Sequence, residues 1–176
     1  MVKSLFSVRF LSVLAGSMLM VFSVTSGSFC QAPGADEASV HNQRGMEYFK
    51  KGFYDHAPKN QLGEAERNYE LAVKEFQAAI ARDASNIEAH RNLARLYHVQ
   101  SNFNGAAEEY QKVAELAPND LDAYINLALA LLELKRSDDA IRALEDAKTH
   151  TSDPKALETL DSYLARVRAY QGKEVK

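Results

Sequence analysis

A repeat with a period of about 34 residues is the feature of this sequence that most constrains its fold. Residues 92–113 and 126–147 carry side chains of similar type or size at equivalent positions. The equivalent pairs are Asn92 and Asn126, Leu93 and Leu127, Ala94 and Ala128, Tyr97 and Leu131, Ala106 and Ala140, Tyr110 and Leu144, and Val113 and Ala147. A unit of this length cannot bury its apolar face alone, so neighbouring units must stack into a continuous core. The repeat therefore favours a function that lies in a surface rather than in a pocket.

Each unit has the apolar spacing of two helices. Ala89, Leu93 and Tyr97 recur at every fourth position, which places them on one face of a helix. Pro118 ends the following helix, because proline lacks an N–H group and disfavours a helical residue before it. The predicted helix pairs are 87–100 with 104–117 and 121–134 with 138–150.

These residues resemble the tetratricopeptide repeat, whose signature of small, aromatic and proline residues recurs with this period. Residues 87–120 match at Leu93, Ala94, Tyr97, Ala106, Tyr110 and Pro118, with His90 where an aromatic residue is usual. Residues 121–154 match at Tyr124, Leu127, Ala128, Leu131, Ala140, Leu144 and Ala147, with Ser152 in place of the proline. The resemblance implies an all-α, right-handed superhelical solenoid of about three helix pairs with a C-terminal capping helix.

The first unit, residues 38–86, is longer than the period, and the excess falls near residues 55–69. Two structures remain open for it. Either the turn between the helices is a longer loop, or the second helix extends backwards to about Gln61. The extended helix is favoured by apolar residues at helical spacing, which are Leu62, Ala65, Tyr69 and Ala72.

A last amphipathic segment, residues 155–170, follows the third unit. Its apolar stripe consists of Leu157, Leu160, Leu164 and Val167. Because a solenoid exposes an apolar face at its end unless a helix covers it, we predict that this segment is a capping helix. Residues 171–176 are predicted to be a tail.

The N-terminal segment, residues 1–30, differs in composition. It has Lys3 and Arg9 but no acidic residue, and residues 10–24 are almost entirely apolar. This pattern is typical of a secretory signal peptide, and a retained N-terminal anchor is the alternative. Cys30 is the only cysteine, so an internal disulfide is impossible. Residues 31–37 have linker composition.

Charge and motifs exclude several classes of function. The chain has 24 acidic and 21 basic residues, and all of the acidic ones follow Cys30, which argues against nucleic-acid binding. Phosphate-binding, zinc-binding and calcium-binding sequence motifs are absent, so we expect neither catalysis nor a cofactor. His90 occupies a core position of the repeat and is interpreted as a structural histidine rather than a metal ligand.

The resemblance implies a concave groove, lined by the first helix of each repeat, that binds a peptide or a partner helix. The predicted groove residues are Glu88, Arg91, Asn92, Arg95, His98, Asp122, Ile125, Asn126, Leu129 and Glu133. Val99 and Leu132 belong to the same face, which Asn42, Met46 and Phe49 would extend. The groove asparagines, Asn92 and Asn126, either bond the backbone of an extended peptide or bond the backbone of their own solenoid, and both interpretations stay open.

Arg91 and Arg95 lie one helical turn apart, beside His98. They either form a solvated helix face or capture an acidic group of a partner, for which the planar guanidinium is suited. The family's chaperone-binding carboxylate clamp is not reproduced, because Arg95 and Leu129 stand where asparagine is needed.

Together these features predict an exported, periplasmic or secreted adaptor without enzymatic activity. Its partner is expected to be a protein or peptide with an acidic group beside an apolar anchor. The alternative is a membrane-tethered assembly factor of a cell-envelope complex, in which the N-terminal segment is retained and contacts the membrane.

Overall fold

The computed structural model describes residues 35–174, and these residues form seven α-helices without a β-strand. The helices are α1 Ala35–Lys50, α2 Leu62–Arg82, α3 Ile87–Val99, α4 Phe103–Leu116, α5 Leu121–Glu133, α6 Ser137–Thr149 and α7 Pro154–Glu174. The all-α fold class, with three helix pairs and a terminal helix, is confirmed. The predicted signal peptide lies outside the described residues. Within residues 35–174, no helix has the length and apolar character needed to cross a membrane.

Each helix packs against the next one along the chain, and α1 also contacts α3 while α5 contacts α7. We call α1, α3 and α5 the first helices and α2, α4 and α6 the second helices. Alanine occupies the closest approaches, since Ala94, Ala106 and Ala140 are fully buried. Larger side chains such as Phe76 and Leu144, which are also fully buried, fill the space between layers. The repeating pattern of small and large residues thus describes the packing of the core.

The turn between paired helices is the same in all three pairs. Ser101 and Lys135 have left-handed backbone angles, with φ of 57° and 59°, and Asn60 has φ of 59° in the first pair. The residue after each one donates its N–H to a carbonyl five positions earlier, at 3.0 Å for Gln61 and 2.8 Å for Asn102 and Arg136. This closure satisfies carbonyl groups that a helix end leaves without partners.

The first pair is longer because both of its helices are extended. The equivalent turn places Ala65 at the position of Ala106, since each donates its N–H at 3.0 Å to the carbonyl four positions earlier. One period before Ala106, however, the sequence has Ala72, so α2 begins about two turns earlier than the repeat requires. Of the two structures left open by the sequence, the extended second helix is present, and the remaining extra residues lengthen the first helix.

The extension of α1 is not regular α-helix. Lys51–His56 form a π-helical segment and Ala57–Lys59 a 3-10 turn that contains Pro58. An aromatic cluster lies where the extension begins, since the ring centroid of Phe49 lies 5.8 Å from that of Phe53 and 6.1 Å from that of Tyr69 on α2.

The outer boundaries of the helices differ from those expected. α1 begins at Ala35, so the last residues of the predicted linker 31–37 are helical. Asp36 and Glu37 lie in the first turn of α1, where negative charge is favourable. At the other end, α7 continues past the predicted cap 155–170 into the predicted tail, because no proline interrupts it.

Candidate functional site

The ten predicted groove residues lie on α3 and α5, five on each helix. They differ in accessibility. Glu88, Arg95, Asp122, Leu129 and Glu133 are exposed; Arg91, His98, Ile125 and Asn126 are half-buried; and Asn92 is buried. The exposed members are accessible to a partner, although Glu88 already pairs with Arg91, and the others make contacts within the protein.

Arg91 is engaged in the solenoid itself. Its guanidinium pairs with Glu88 on the same helix and, at 2.5 Å, with a carboxylate oxygen of Asp120. Asp120 caps α5 by accepting the N–H of Ala123 at 3.2 Å. Burial lowers the pKa of Arg91, but the hydrogen bonds and charges of Asp120 and Glu88 outweigh this and raise it. Arg91 therefore connects α3 to the start of α5 and remains charged.

The basic cluster expected from the sequence does not form as one site. Arg95 is exposed and has no ion pair among residues 36–171, whereas His98 turns towards α4 and meets Phe103 edge to face at 5.4 Å. The pKa of Tyr110 is raised because the side chain is buried, although the nearby positive charges of Arg95 and Arg91 partly offset this effect. Of the three predicted basic residues, only Arg95 offers an unpaired cation to a partner.

The two groove asparagines use their amide groups within the protein. Asn92 is 6% exposed and donates to the side-chain oxygen of Asn42 at 3.0 Å, which joins α3 to α1. Asn126 donates to the carbonyl of Asp122 at 2.8 Å in its own helix. Both asparagines therefore bond within the solenoid, Asn126 to the backbone as one of the two interpretations expects and Asn92 to a side chain instead.

Exposed apolar and charged residues alternate between α3 and α5. Arg95 and Val99 are one turn apart on α3, and Leu129 and Glu133 occupy the equivalent positions one period later on α5. Val99 is 39% exposed and Leu129 36% exposed, although neither has a polar atom in its side chain. We call these four residues the first-helix face. It combines apolar surface with one cation and one anion, Arg95 and Glu133, neither of which has an ion pair within the described residues. This combination suits a peptide rather than a substrate undergoing chemistry.

A histidine–glutamate pair recurs at the open end of the first two helix pairs. His90 Nδ1 lies 2.6 Å from Glu109 and its Nε2 lies 3.1 Å from the carbonyl oxygen of Ala84. His41 lies 2.7 Å from Glu75 in the same arrangement. His90 is therefore held by two structural partners. No group of three His, Cys, Asp or Glu side chains in the described part of the chain could hold a metal ion.

One cavity opens between the second helices. It has a volume of ≈ 520 Å³ and lies among α4, α5 and α6. Both of its arginines are neutralised, since Asp139 pairs with Arg136 at 2.6 Å and also with Arg142, whereas Glu108 and Asp146 give the lining a net negative charge. This acidic surface has no free cation for an acidic group of a partner, so it is a poorer candidate for the predicted peptide.

A second cavity, of ≈ 380 Å³, opens between α5 and α7, where the sequence predicts only a capping contact. Leu129 and Leu132 line it from α5, while Tyr163, Arg166 and Tyr170 line it from α7. We call it the α5–α7 cavity. The spacing of Tyr163, Arg166 and Tyr170 puts the three on one helix face, so the sequence contains the signal. That face was overlooked because α7 was interpreted only as a cap.

The stack of helix pairs with an accessible first-helix face defines the class of a helical-repeat solenoid. Residues 64–120 match one family model of the tetratricopeptide repeat, and residues 99–160 match a second. Together the matches span more than half of the chain, which belongs to the tetratricopeptide repeat family. None of the curated proteins compared with the chain matches it significantly.

Solved structures with the same fold include several tetratricopeptide repeat domains. The TPR2B domain of yeast Sti1, in a complex with pHsp70, is 22% identical with a TM-score of 0.58, over 77% of this chain and 98% of that one. The Arabidopsis OM64 TPR domain is 17% identical with a TM-score of 0.56, over 78% and 98%. The first TPR of Spaghetti (RPAP3), bound to the HSP90 peptide SRMEEVD, is 18% identical with a TM-score of 0.55, over 76% and 95%. At these identities the similarity is one of fold.

Proposed function

We propose that this protein is a non-enzymatic adaptor that binds a peptide segment of a partner protein along its first-helix face. The observation that carries the proposal is the exposure of Val99 and Leu129 on neighbouring first helices, next to the unpaired Arg95. Burying exposed apolar surface against a partner is favourable by about 25 cal/mol per Å², and Arg95 adds a charged hydrogen-bond donor for an acidic group.

The fold supports peptide binding as the general activity, since two of the similar solved domains are complexed with chaperone segments. Chaperone tails are nevertheless a poor choice for this chain. The family's carboxylate clamp needs asparagine at the positions of Arg95 and Leu129, and a leucine cannot hydrogen-bond a carboxylate. The first-helix face therefore favours a partner segment in which an apolar anchor accompanies the acidic group.

The test is a selection of random dodecapeptides on the purified protein, followed by titration of the best synthetic peptide. Arg95→Glu with Val99→Asp reverses the charge and removes the apolar group of α3, and we expect binding to weaken at least about tenfold, or 1.4 kcal/mol.

The matched control is Lys112→Glu with Leu116→Asp, which changes the same chemistry at the same spacing on a second helix. Leu116 is 37% exposed, close to the exposure of Val99. If no peptide is selected, or if the control variant loses as much affinity as the α3 variant, the first-helix face is not the binding surface.

We further propose that the adaptor is exported and acts in the periplasm or outside the cell. The support is the sequence of residues 1–30, with its basic start, apolar run and small polar end. The test is mass spectrometry of the protein isolated from the cells that produce it, which identifies the first residue of the mature chain. A start near residue 31 supports export of a cleaved protein, whereas an intact N-terminus in the membrane fraction supports the tethered assembly factor.

A further inference from the structure

The α5–α7 cavity is apolar and open on one side. Apart from Arg166, every side chain that lines it is uncharged, and most are aliphatic or aromatic. Leu129 and Tyr170, at 36% and 45% exposure, leave apolar surface towards the opening. A cavity of ≈ 380 Å³ falls in the range of about 300–1,000 Å³ that is typical of ligand sites in proteins. Its shape and lining suit a large apolar side chain.

Arg166 gives the cavity its single charge. The guanidinium carbon lies 5.6 Å from the centroid of the Tyr163 ring, and no carboxylate within residues 36–171 pairs with it. Arg168, two positions further on the same helix, pairs with Glu145 at 2.8 Å. A guanidinium placed on an aromatic ring keeps its hydrogen-bond donors free for a planar acceptor. The cavity therefore presents an apolar interior with an unsatisfied cation at its edge.

We infer that the α5–α7 cavity holds a large apolar side chain of the partner peptide, while Arg166 binds a carboxylate one or two residues away in the same peptide. This inference rests on the proposed function, and it moves the anchor of the peptide to the C-terminal end of the stack. Leu129 belongs both to the first-helix face and to the cavity, so one extended segment reaches both. Arg166 binds an acidic group at the cavity in addition to the one that Arg95 binds on the first-helix face, whereas Arg91 binds neither because Asp120 and Glu88 already neutralise its charge.

Two substitutions separate the parts of this site. Ala169→Phe fills the cavity from an exposed position, and Ala165→Phe adds the same ring at an exposed position of α7 that does not line it. Arg166→Glu reverses the charge at the cavity, and Arg168→Glu reverses a charge outside it. Equal melting temperatures of all four variants and the wild type are required before binding is compared.

The probe is the best peptide from the random dodecapeptide selection, measured by fluorescence polarisation. We expect the selected sequences to share a Leu, Phe or Met within two residues of an Asp or Glu. Ala169→Phe and Arg166→Glu should each weaken the peptide at least about tenfold, while the two controls stay within about twofold. A peptide with Lys in place of its acidic residue should bind Arg166→Glu better than the original peptide does.

Several outcomes overturn the inference. Selected peptides without the apolar and acidic pair overturn it, as does unchanged affinity of both cavity variants. If Arg95→Glu with Val99→Asp still abolishes binding in that case, the first-helix face stands and only the cavity is excluded. If sedimentation shows a dimer that Ala169→Phe dissociates, the occupant is a second copy of the chain, and a peptide site is excluded.

Discussion

The first helix pair, α1 with α2, and the second pair, α3 with α4, are alike at both ends and differ in length between them. His41 with Glu75 and His90 with Glu109 join the helices at one end, and left-handed residues Asn60 and Ser101 close the other. The extra residues between these ends add about two turns to each helix of the first pair. Two turns return a helical stripe to nearly the same face, so the insertion preserves the phase of packing.

A repeat of this kind can therefore lengthen without losing its register, provided that both helices grow together. What changes is the set of side chains that meet between the two helices. The added turns contribute Phe53, whose ring centroid lies 5.8 Å from that of Phe49, and Ala65, which is buried. They also leave Tyr54 and Leu62 exposed, at 68% and 64%. The two ends therefore secure the fold, and the extension contributes less to its stability.

The largest expected effect distinguishes the buried core of the first pair, represented by Phe76, from its extension, represented by Phe53. Phe76 is fully buried, and Phe76→Ala should lower the free energy of unfolding by about 3–5 kcal/mol through the lost apolar burial and the cavity left behind. Phe53 is 40% exposed in the extension, and Phe53→Ala should cost less than about 1 kcal/mol. Urea denaturation measures both. Similar losses of unfolding free energy in the two variants would show that the extension stabilises the fold as much as the buried core does.

The recurrent histidine pair should differ in strength between the two regions. His90 is buried with two partners, and His90→Ala should cost about 2–3 kcal/mol because Glu109 and the carbonyl of Ala84 lose their hydrogen bonds. His41 is half-buried with one partner, and His41→Ala should cost about 1 kcal/mol. Thermal melts of the two variants give the order. If His41→Ala lowered the stability more than His90→Ala, burial and the second hydrogen bond of His90 would not explain the difference.

Glycines of the first pair offer a smaller contrast within one region. A methyl group on Gly45 would lie 2.5 Å from Cε1 of Phe76, so Gly45→Ala should destabilise by about 1–3 kcal/mol through overpacking. Gly63 has open space at its Cβ position, and Gly63→Ala should stabilise α2 by about 0.5 kcal/mol. If chemical denaturation shows that Gly45→Ala destabilises the protein and Gly63→Ala stabilises it, the close approach of α1 and α2 is supported. A stabilising Gly45→Ala would mean that α1 lies further from Phe76.

The smallest expected effect concerns the shared turn. Ser101→Gly and Lys135→Gly should each stabilise by about 0.5–1 kcal/mol, because glycine adopts positive φ without the steric cost of a side chain. Asn60→Gly in the first pair should change stability less, since asparagine tolerates this conformation better than lysine or serine. Calorimetry of the three variants ranks them. Equal gains at all three sites would remove this distinction between the turns.

The helix ranges of the regular pairs could be predicted from the sequence, because the repeat period, the alanine positions and Pro118 report on local structure. Helices α3 to α6 lie within one or two positions of the predicted ranges. The extension of α1 was not predictable, because Pro58 indicates the end of an α-helix and gives no sign of the π-helical and 3-10 turns before Asn60. Spacing alone therefore located the insertion but did not divide it between the two helices.

The candidate site was predictable only as a list of positions on helix faces. That Arg91 pairs with Asp120, far along the chain, depends on how α3 meets the start of α5, and helical spacing says nothing of this. The α5–α7 cavity likewise arises from the packing of α7 against its neighbours. Period and spacing identify which residues share a face, whereas contacts between helices decide which of them stay free.

Helix α7 is both the last element of the stack and one wall of the α5–α7 cavity. Terminal elements of a solenoid open at a lower free energy than its interior, because they have a neighbour on one side only. Fraying of α7 therefore destroys the cavity while α1 to α6 are still folded, and a molecule held in the cavity opposes that fraying. On heating, we therefore expect ligand binding at this cavity to be lost before the rest of the fold unfolds.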